Sequence, residues 1–233
     1  EFAQKGIIEL EEEFIEAKSG GVHLLRCLQI MAHPETFPGL LPKGTKTGKD
    51  EALEIHLENH KRTGERLAIF AVNVAEIERI AKFVESCGLR PAVIHGGVSS
   101  SKRGTIEEGF RNGEYDVMVA SPDTAGVGFN WNFLNHIIFA SVDYKDSAFV
   151  QSYRRGIRGQ RDKPLLITVL EYERSIDQMK FAMLMRKSRE SNKVDPTYPI
   201  INLFNSGSEQ DEVDEEVEAM WEEAMAYQAK KSS

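Results

Sequence analysis

Leu67-Ala68-Ile69-Phe70-Ala71-Val72 is an uninterrupted run of six apolar residues. A run this short and this apolar is typical of a β-strand that is buried on both faces. Four further short apolar runs follow along the chain, at 91–95, 116–121, 136–140 and 165–170. The sequence therefore predicts five strands between residues 67 and 170.

Helical patterns separate these strands. Asn73 can cap a helix whose apolar residues Ile77, Ile80 and Val84 recur at helical spacing, and Gly88 can end it. Further helices are predicted over 49–62, 99–112, 147–156 and 175–190. Because strands alternate with helices, we expect an α/β fold, in which right-handed crossovers build a parallel sheet with helices on both faces.

The flanking segments differ from this core. Residues 7–33 are predicted to be helical, with a break at Ser19-Gly20-Gly21, and residues 209–231 form an acidic, amphipathic helical pattern. We therefore expect three parts. They are an N-terminal helical lead-in and loop (1–48), the α/β domain (49–190), and a linker with an acidic helical tail (191–233).

Charge and composition narrow the function classes. The chain carries a net charge of −8, but residues 191–233 hold three basic and ten acidic residues, whereas 67–190 hold 17 and 15. A sequence pI near 5.4 argues against nonspecific coating of nucleic acid and leaves room for a local basic groove. No apolar run is long enough to cross a membrane. Cys27 and Cys87 have no metal-binding spacing, so we expect no metal-ligating residues in this chain. Residues 1–5 lack an initiator Met and a signal-peptide core, so we expect an intracellular protein and a fragment of a longer chain.

Several short patterns are weak candidates for function. Gly44–Asp50 resembles a phosphate-binding loop, but Asp50 replaces the Ser or Thr that holds magnesium, and no strand precedes the segment. The same absence of a strand argues against Asp50–Leu53 as a magnesium-binding acidic box. The scattered histidines, His56, His60 and His136 among them, are interpreted as surface or packing residues.

Residues 121–130 are the first strong candidate, because they directly follow the third strand. Ligands of open α/β sheets bind outside the carboxyl ends of the strands. Gly126 and Gly128 permit close backbone approach, and Asn130 offers an amide to a sugar hydroxyl. A turn with no ligand explains the glycines equally well.

Residues 151–161 are the second candidate, with four arginines in eight positions. Arg155 and Arg158 lie three residues apart, so a helical turn would place both on one face. Arginine makes planar, bidentate contacts to phosphate, which favours a phosphate site over a basic surface or a salt-bridge cluster.

Together these segments resemble the C-terminal RecA-like lobe of superfamily 2 helicases, and more closely that of the Swi/Snf-type DNA translocases. Thr124–Asn130 is similar to the "AGGVGLN" of motif V, and Gln151, Arg155 and Arg158 match the Q-x-x-x-R-x-x-R of motif VI. Leu24–Pro34 resembles the "LRQICNHP" segment, and Gly48–Leu53 resembles the "GKLEAL" helix. The resemblance extends from about residue 20 to 185.

The resemblance implies ATP hydrolysis coupled to movement along nucleic acid. ATP and Mg²⁺ would be held mainly by an N-terminal RecA-like lobe of the same polypeptide, so this chain alone is expected to be inactive. Arg155 and Arg158 would face the γ-phosphate, Gln151 would couple the two lobes, and Gly126, Gly128 and Asn130 would lie near the ribose.

The resemblance also implies contacts to a nucleic-acid backbone, with DNA favoured over RNA. The residues expected there are Asn73, His95, Gly96, Ser121 and Thr124, with charge from Lys102 and Arg103 and stacking by Tyr144. A solvated helix start for the Lys102-Arg103 pair and simple packing for Tyr144 remain open. Contacts of this kind carry no sequence information, so binding should be nonspecific and sensitive to salt.

The same residues allow a second function. The lobe could be a degenerate scaffold that binds nucleic acid or protein without ATPase activity, although the retained motif VI residues argue against this.

The acidic tail allows three interpretations. It could dock on the lobe, bind a protein partner or mimic DNA. Mimicry predicts that deleting 209–233 tightens DNA binding. A Rossmann-type enzyme is excluded, because no glycine fingerprint follows the first strand.

Overall fold

A computed structural model describes residues 7–9, 14–16, 20–37, 39–42, 45–124, 129–143, 146–157, 164–173 and 175–196. Contacts divide the chain into two compact units, 46–172 and a second unit of 1–45 with 173–233. The described strands are β1 Ile7–Glu9, β2 Phe14–Glu16, β3 Leu67–Phe70, β4 Pro91–Ile94, β5 Val117–Ala120, β6 His136–Phe139 and β7 Leu166–Val169. The described helices are α1 Gly20–Ala32, α2 Gly48–Thr63, α3 Val74–Ser86, α4 Ser100–Asn112, α5 Asp146–Arg154 and α6 Ile176–Val194, with a 3-10 turn at Pro34–Thr36.

A five-stranded sheet forms the unit 46–172. Its strand order is β4-β5-β3-β6-β7, and every neighbouring pair is parallel. Leu67, at the start of β3, lies opposite Val117 of β5 and His136 of β6, so the central strands are in register. All residues of β3, β5 and β6 are buried, as the continuous apolar runs predict. The predicted α/β fold with a RecA-like parallel sheet is confirmed.

Helices cover both faces of this sheet. On one face, Leu53 and Leu57 of α2 and Ile77 of α3 share a core with alternate residues of β3, β5 and β6. The remaining strand residues point to the opposite face, because side chains alternate along a strand. There Phe70 stacks on Trp131 with 6.0 Å between the ring centroids, and the rings of Phe139 and Phe149 of α5 have centroids 4.3 Å apart.

Capping explains where the helices of this unit begin and end. At the start of α2, the Thr47 hydroxyl accepts a hydrogen bond from the Asp50 N–H, and the Asp50 carboxylate accepts one from the Thr47 N–H at 2.8 Å. Gly64 ends α2 in the left-handed conformation, with φ of 69°. Asn73 does occupy the N-cap position of α3, but its side chain makes no capping hydrogen bond.

The second unit contains α1, α6 and the strands β1 and β2. The two strands pair antiparallel, with Ile8 opposite Ile15. The helix predicted between residue 7 and the break at Ser19-Gly20-Gly21 is therefore wrong at these two strands, whereas the helix predicted after the break is confirmed by α1, Gly20–Ala32. Ile7-Ile8 and Phe14-Ile15 are β-branched or aromatic residues, which fit a strand better than a helix.

The remaining sequence predictions concern the tail, the domain ranges and the membrane. The acidic helix at 209–231 lies outside the described residues. The domain ranges 1–48, 49–190 and 191–233 stay a prediction. Among the described residues, no helix has both the length and the apolar character that a bilayer crossing requires.

Candidate functional site

Four loops meet at the carboxyl edge of the sheet. Since the strands are parallel, the segments that follow β4, β5, β3 and β6 leave the sheet on the same side, in that spatial order. These segments contain most of the predicted nucleic-acid contacts, namely Asn73, His95, Gly96, Ser121 and Thr124. The fold therefore brings together residues that are up to 51 positions apart in the chain.

The loop after β4 is held by its own hydrogen bonds. The His95 Nδ1 atom accepts the Gly97 N–H at 3.1 Å, so in a neutral ring the proton is on Nε2, which is then the donor. Arg103 donates from Nε to the Val98 carbonyl at 2.7 Å and from Nη2 to the Gly96 carbonyl at 3.4 Å. Arg103 therefore shapes this turn, whereas Lys102 is exposed.

The loop after β5 carries two buried polar atoms that none of the described residues pairs with. The Ser121 N–H donates to the Ile94 carbonyl at 3.0 Å, which ties this loop to the end of β4. In the described part of the chain, the Ser121 Oγ and Asn130 Oδ1 atoms have no hydrogen-bond partner. An unmade hydrogen bond in a buried position is costly, so both atoms are poised to accept one from a ligand group. Gly126 and Gly128 lie outside the described residues.

The motif VI residues are placed in different environments. Gln151 lies on α5 and is exposed. Arg155 follows α5 and is only 2% exposed, and its carbonyl accepts the Trp131 N–H at 3.1 Å. Arg158 and Tyr144 lie outside the described residues. The predicted phosphate contact of Arg155 stays a prediction, and its guanidinium is not a surface group in this structure.

A hydrogen-bonded group that the sequence analysis missed joins the loops after β3 and β6. The Ser141 hydroxyl donates to the Glu76 Oε2 atom at 2.6 Å and accepts the Val72 N–H at 3.0 Å. Lys49 donates from Nζ to the Ala140 carbonyl at 2.6 Å. A glutamate three residues after a helix cap was a recognisable capping pattern. Nothing in the local sequence pointed to Ser141 or Lys49 as its neighbours.

The weak phosphate-loop and acidic-box patterns have structural roles. Asp50, which is 2% exposed, caps α2 through Thr47 and also binds Arg79 at 2.6 Å. Lys49 is 5% exposed and lies 5.4 Å from the Tyr172 ring centroid. These side chains are committed to the fold of the unit. Among the described residues, no group of three or more His, Cys, Asp or Glu could hold a metal ion.

A histidine cluster lies at the opposite, amino edge of the sheet. The His60 Nε2 and His136 Nδ1 atoms are 2.9 Å apart, and the His136 Nε2 atom lies 2.8 Å from the Thr168 hydroxyl. Burial and the neighbouring rings of His60 and His56 lower the pKa of His136 to about 3. Burial also lowers the pKa of His56 and of His60. These three rings are packing groups, as the sequence suggested, and they are neutral at pH 7.

Comparison with known proteins shows a helicase-domain match in the sequence and a similar fold in a solved structure. Residues 48–160 match the family described as "Helicase conserved C-terminal domain". In structure, the chain resembles the C-terminal part of the Fun30 ATPase domain, with a TM-score of 0.58, 15% identity, and coverage of 87% of this chain and 62% of that one.

Sequence relatives fall among helicases and a repair protein. The chain is 30% identical over 106 residues to DEAD-box ATP-dependent RNA helicase 35A of Oryza sativa subsp. japonica, covering 45% of this chain and 16% of that protein. It is 26% identical over 130 residues to DNA repair protein rad8 of Schizosaccharomyces pombe, covering 55% of this chain and 12% of that protein. The chain thus spans about a sixth or less of either relative. With the parallel sheet and the motif order of residues 124–158, these matches show that residues 48–160 are a helicase C-terminal domain, similar to the C-terminal RecA-like lobe of superfamily 2 helicases.

Proposed function

We propose that this chain is the C-terminal motor lobe of an ATP-dependent translocase or helicase of the Swi/Snf type, acting on DNA inside the cell. The observation that carries the proposal is the helicase-domain match over residues 48–160. That range includes β3 to β6 and α5, and all the candidate residues lie within it in the sequence. In this proposal an N-terminal RecA-like lobe of the same polypeptide completes the ATP site.

ATP would supply the free energy of the cycle, and Mg²⁺ would be held mainly by the N-terminal lobe. From this chain, Asn130 would accept a hydrogen bond from the ribose, since its buried Oδ1 atom has no partner among the described residues. Exposed Gln151 would contact the other lobe. Arg155 and Arg158 would stabilise negative charge on the γ-phosphate. Tighter binding of ATP to the closed pair of lobes would hold them together, and hydrolysis would release them.

The carboxyl-edge loops would track a nucleic-acid backbone. The His95 Nε2–H and the Lys102 ammonium are donors suited to phosphate, and the Ser121 and Thr124 hydroxyls add neutral contacts. DNA is supported by the similarity to a DNA repair protein and by the Swi/Snf-like motifs. RNA is supported by the similarity to DEAD-box RNA helicases, so it is the second arm of the test.

A second candidate function is a binding scaffold without ATPase activity. The observation that favours it is the burial of Arg155, because a guanidinium that is 2% exposed meets a phosphate only after a change in side-chain position. The two functions differ in what an arginine substitution does. A motor loses turnover, whereas a scaffold has no turnover to lose.

The test is ATP hydrolysis by the polypeptide that joins this chain to its N-terminal lobe, with single- and double-stranded DNA and RNA. Arg158→Ala should lower stimulated turnover by about 10³ or more, as expected for a lost arginine finger. Arg154→Ala is the matched control, since Arg154 is an exposed arginine of the same segment outside the motif. A wild type that hydrolyses nothing would favour the scaffold, whereas stimulated turnover that the Arg158→Ala variant retains would refute the proposed role of Arg158.

A further inference from the structure

The group formed by Glu76, Ser141 and the Val72 amide extends the sheet beyond its last backbone hydrogen bond. Between β3 and β6 that last bond is the Ala140 N–H to the Phe70 carbonyl, at 2.8 Å. One step further, the Ser141 hydroxyl takes the place of a backbone carbonyl and accepts the Val72 N–H at 3.0 Å. The two chain segments are therefore still joined where the strands have ended.

Glu76 fixes the orientation of that hydroxyl. A hydroxyl rotates to suit its partners, and the acceptor at 2.6 Å, Glu76 Oε2, directs its hydrogen away from Val72. This leaves the oxygen lone pairs of Ser141 for the amide. Glu76 is 1% exposed and lies in the first turn of α3, where the helix dipole favours a carboxylate. The pair is therefore held from α3, a rigid element of the fold.

A third contact holds the same segment from another helix. The Lys49 ammonium of α2, 5% exposed, donates to the Ala140 carbonyl at 2.6 Å. The start of the loop after β6 is thus attached to α2, to α3 and to the end of β3. Such density of buried polar contacts is expensive to form, and apolar side chains of similar volume would stabilise the fold at lower desolvation cost.

The segments that this group joins both lead into the candidate site. Val72 precedes Asn73, a predicted nucleic-acid contact, by one residue. Ser141 opens the loop that leads to α5, which carries Gln151 at its exposed surface. The group therefore sets the separation between a nucleic-acid contact and a residue of the proposed ATP site.

We propose that Glu76 and Ser141 are positioning residues that couple nucleic-acid binding to ATP hydrolysis, an inference that rests on the proposed function. If the hydrogen bond between the Val72 amide and the Ser141 hydroxyl breaks, the loop after β6 can shift against the loop after β3. That shift changes the distance between the nucleic-acid contacts and the proposed ATP site. Basal hydrolysis needs only the ATP site, whereas stimulation needs both sites in register. Loss of the group should therefore reduce the stimulation and spare the basal rate.

The first measurement tests the hydrogen bonds in the 233-residue chain, without ligand. Ser141→Ala and Glu76→Leu should raise the hydrogen-exchange rate of the Val72 amide about tenfold, and Glu76→Gln should not, because its amide oxygen still accepts from Ser141. Exchange at the Ala71 amide, which donates to the Ala120 carbonyl, is the internal control. An unchanged Val72 rate in Ser141→Ala would overturn the proposal.

The second measurement compares basal and nucleic-acid-stimulated ATP turnover in the two-lobe polypeptide. Ser141→Ala should lower the stimulated rate at least tenfold and leave the basal rate within twofold, and Ser141→Thr, which keeps the hydroxyl, should restore stimulation. All variants are assayed below their melting temperatures. Glu76→Gln preserves the hydrogen bond and should therefore retain stimulation. It takes the place of Ser141→Thr if that variant does not fold.

The outcomes separate this proposal from the proposed function. A wild type that nucleic acid does not stimulate refutes the motor function, and the positioning role falls with it. A stimulated wild type with an equally stimulated Ser141→Ala variant overturns the positioning role alone. Equal losses of basal and stimulated rate in Ser141→Ala would also overturn it, since they indicate a structural role only.

Discussion

Acid should destabilise the sheet unit through His136. The ring is 5% exposed, and burial, with the nearby His60 and His56 rings, lowers its pKa from an ordinary 6.5 to about 3. Below pH 6.5 the unfolded chain binds a proton at this residue that the folded chain does not bind. Stability is therefore full above about pH 6.5 and is lost as the pH falls toward 3.

The magnitude follows from the size of the shift. Each pH unit below the unfolded pKa costs about 1.4 kcal/mol per unmatched proton. Between pH 7 and pH 5, His136 should therefore lower the free energy of unfolding by about 2 kcal/mol. Domains are stable by only about 5–15 kcal/mol, so the loss is large enough to measure.

The assay is urea unfolding at pH 7, 6 and 5 of chains carrying Trp221→Phe, followed by the fluorescence of Trp131, which is fully buried in the same unit. His136→Leu should be less stable than wild type at pH 7 by about 1–3 kcal/mol, because His60 and Thr168 lose a hydrogen-bond partner. Its deficit should shrink by about 2 kcal/mol between pH 7 and pH 5, because it has no ring to protonate.

The control is Phe110→Ala, which changes a fully buried residue of the same unit that carries no titratable group. Its difference from wild type should stay constant over the same pH range. A deficit of His136→Leu that is equally large at pH 7 and pH 5 would refute the reasoning, since the buried ring would then not titrate as its surroundings require.

Three further substitutions and one control, Glu54→Ala, test the packing of the sheet unit by urea unfolding. Asp50→Ala removes the α2 cap and the 2.6 Å ion pair with Arg79, and should cost about 3 kcal/mol. Glu54→Ala, which removes an exposed ion pair on the same helix, should change little. Phe110→Ala, in the aromatic core, should cost about 3–5 kcal/mol, and a loss under 1 would contradict its full burial. Gly156→Ala would place a Cβ atom 2.8 Å from a leucine methyl carbon and should cost about 1–3 kcal/mol. An unchanged midpoint would disprove that clash.

Local pattern was sufficient for the elements of the sheet unit. The run at 67–72 predicted β3, because a short strand that is apolar on both faces must be covered by a layer of the protein on each side to be shielded from water. The end of α3 was predicted by Gly88, which has a positive φ in the structure. The position of most candidate residues at one edge followed from the same pattern, since the strands of a crossover sheet run parallel.

Local pattern failed where the signal was short or mixed. Residues 7–16 have an apolar content that fits either a helix or a strand, and the structure pairs Ile7–Glu9 with Phe14–Glu16. Asn73 was correctly placed at a cap, but the absence of its side-chain bond depends on how α3 meets the sheet. Gln151 is exposed and Arg155 is buried, and the spacing of these residues could not predict that difference. Helical spacing indicates which way a side chain points but not how much of it solvent can reach.

Within the sheet unit, the sequence by itself determined which segments are strands, which are helices, and that the motif residues of a helicase lobe follow the strands. Those properties arise from interactions within a few residues, namely apolar periodicity, capping and turn geometry. Only the tertiary structure decided the strand order, the pairing of Glu76 with Ser141 across 65 residues and that of His60 with His136 across 76. Such pairs form because packing removes both partners from water, so that each buried polar group must hydrogen-bond to the other. A pattern within a few residues does not indicate a partner that is so distant in the sequence.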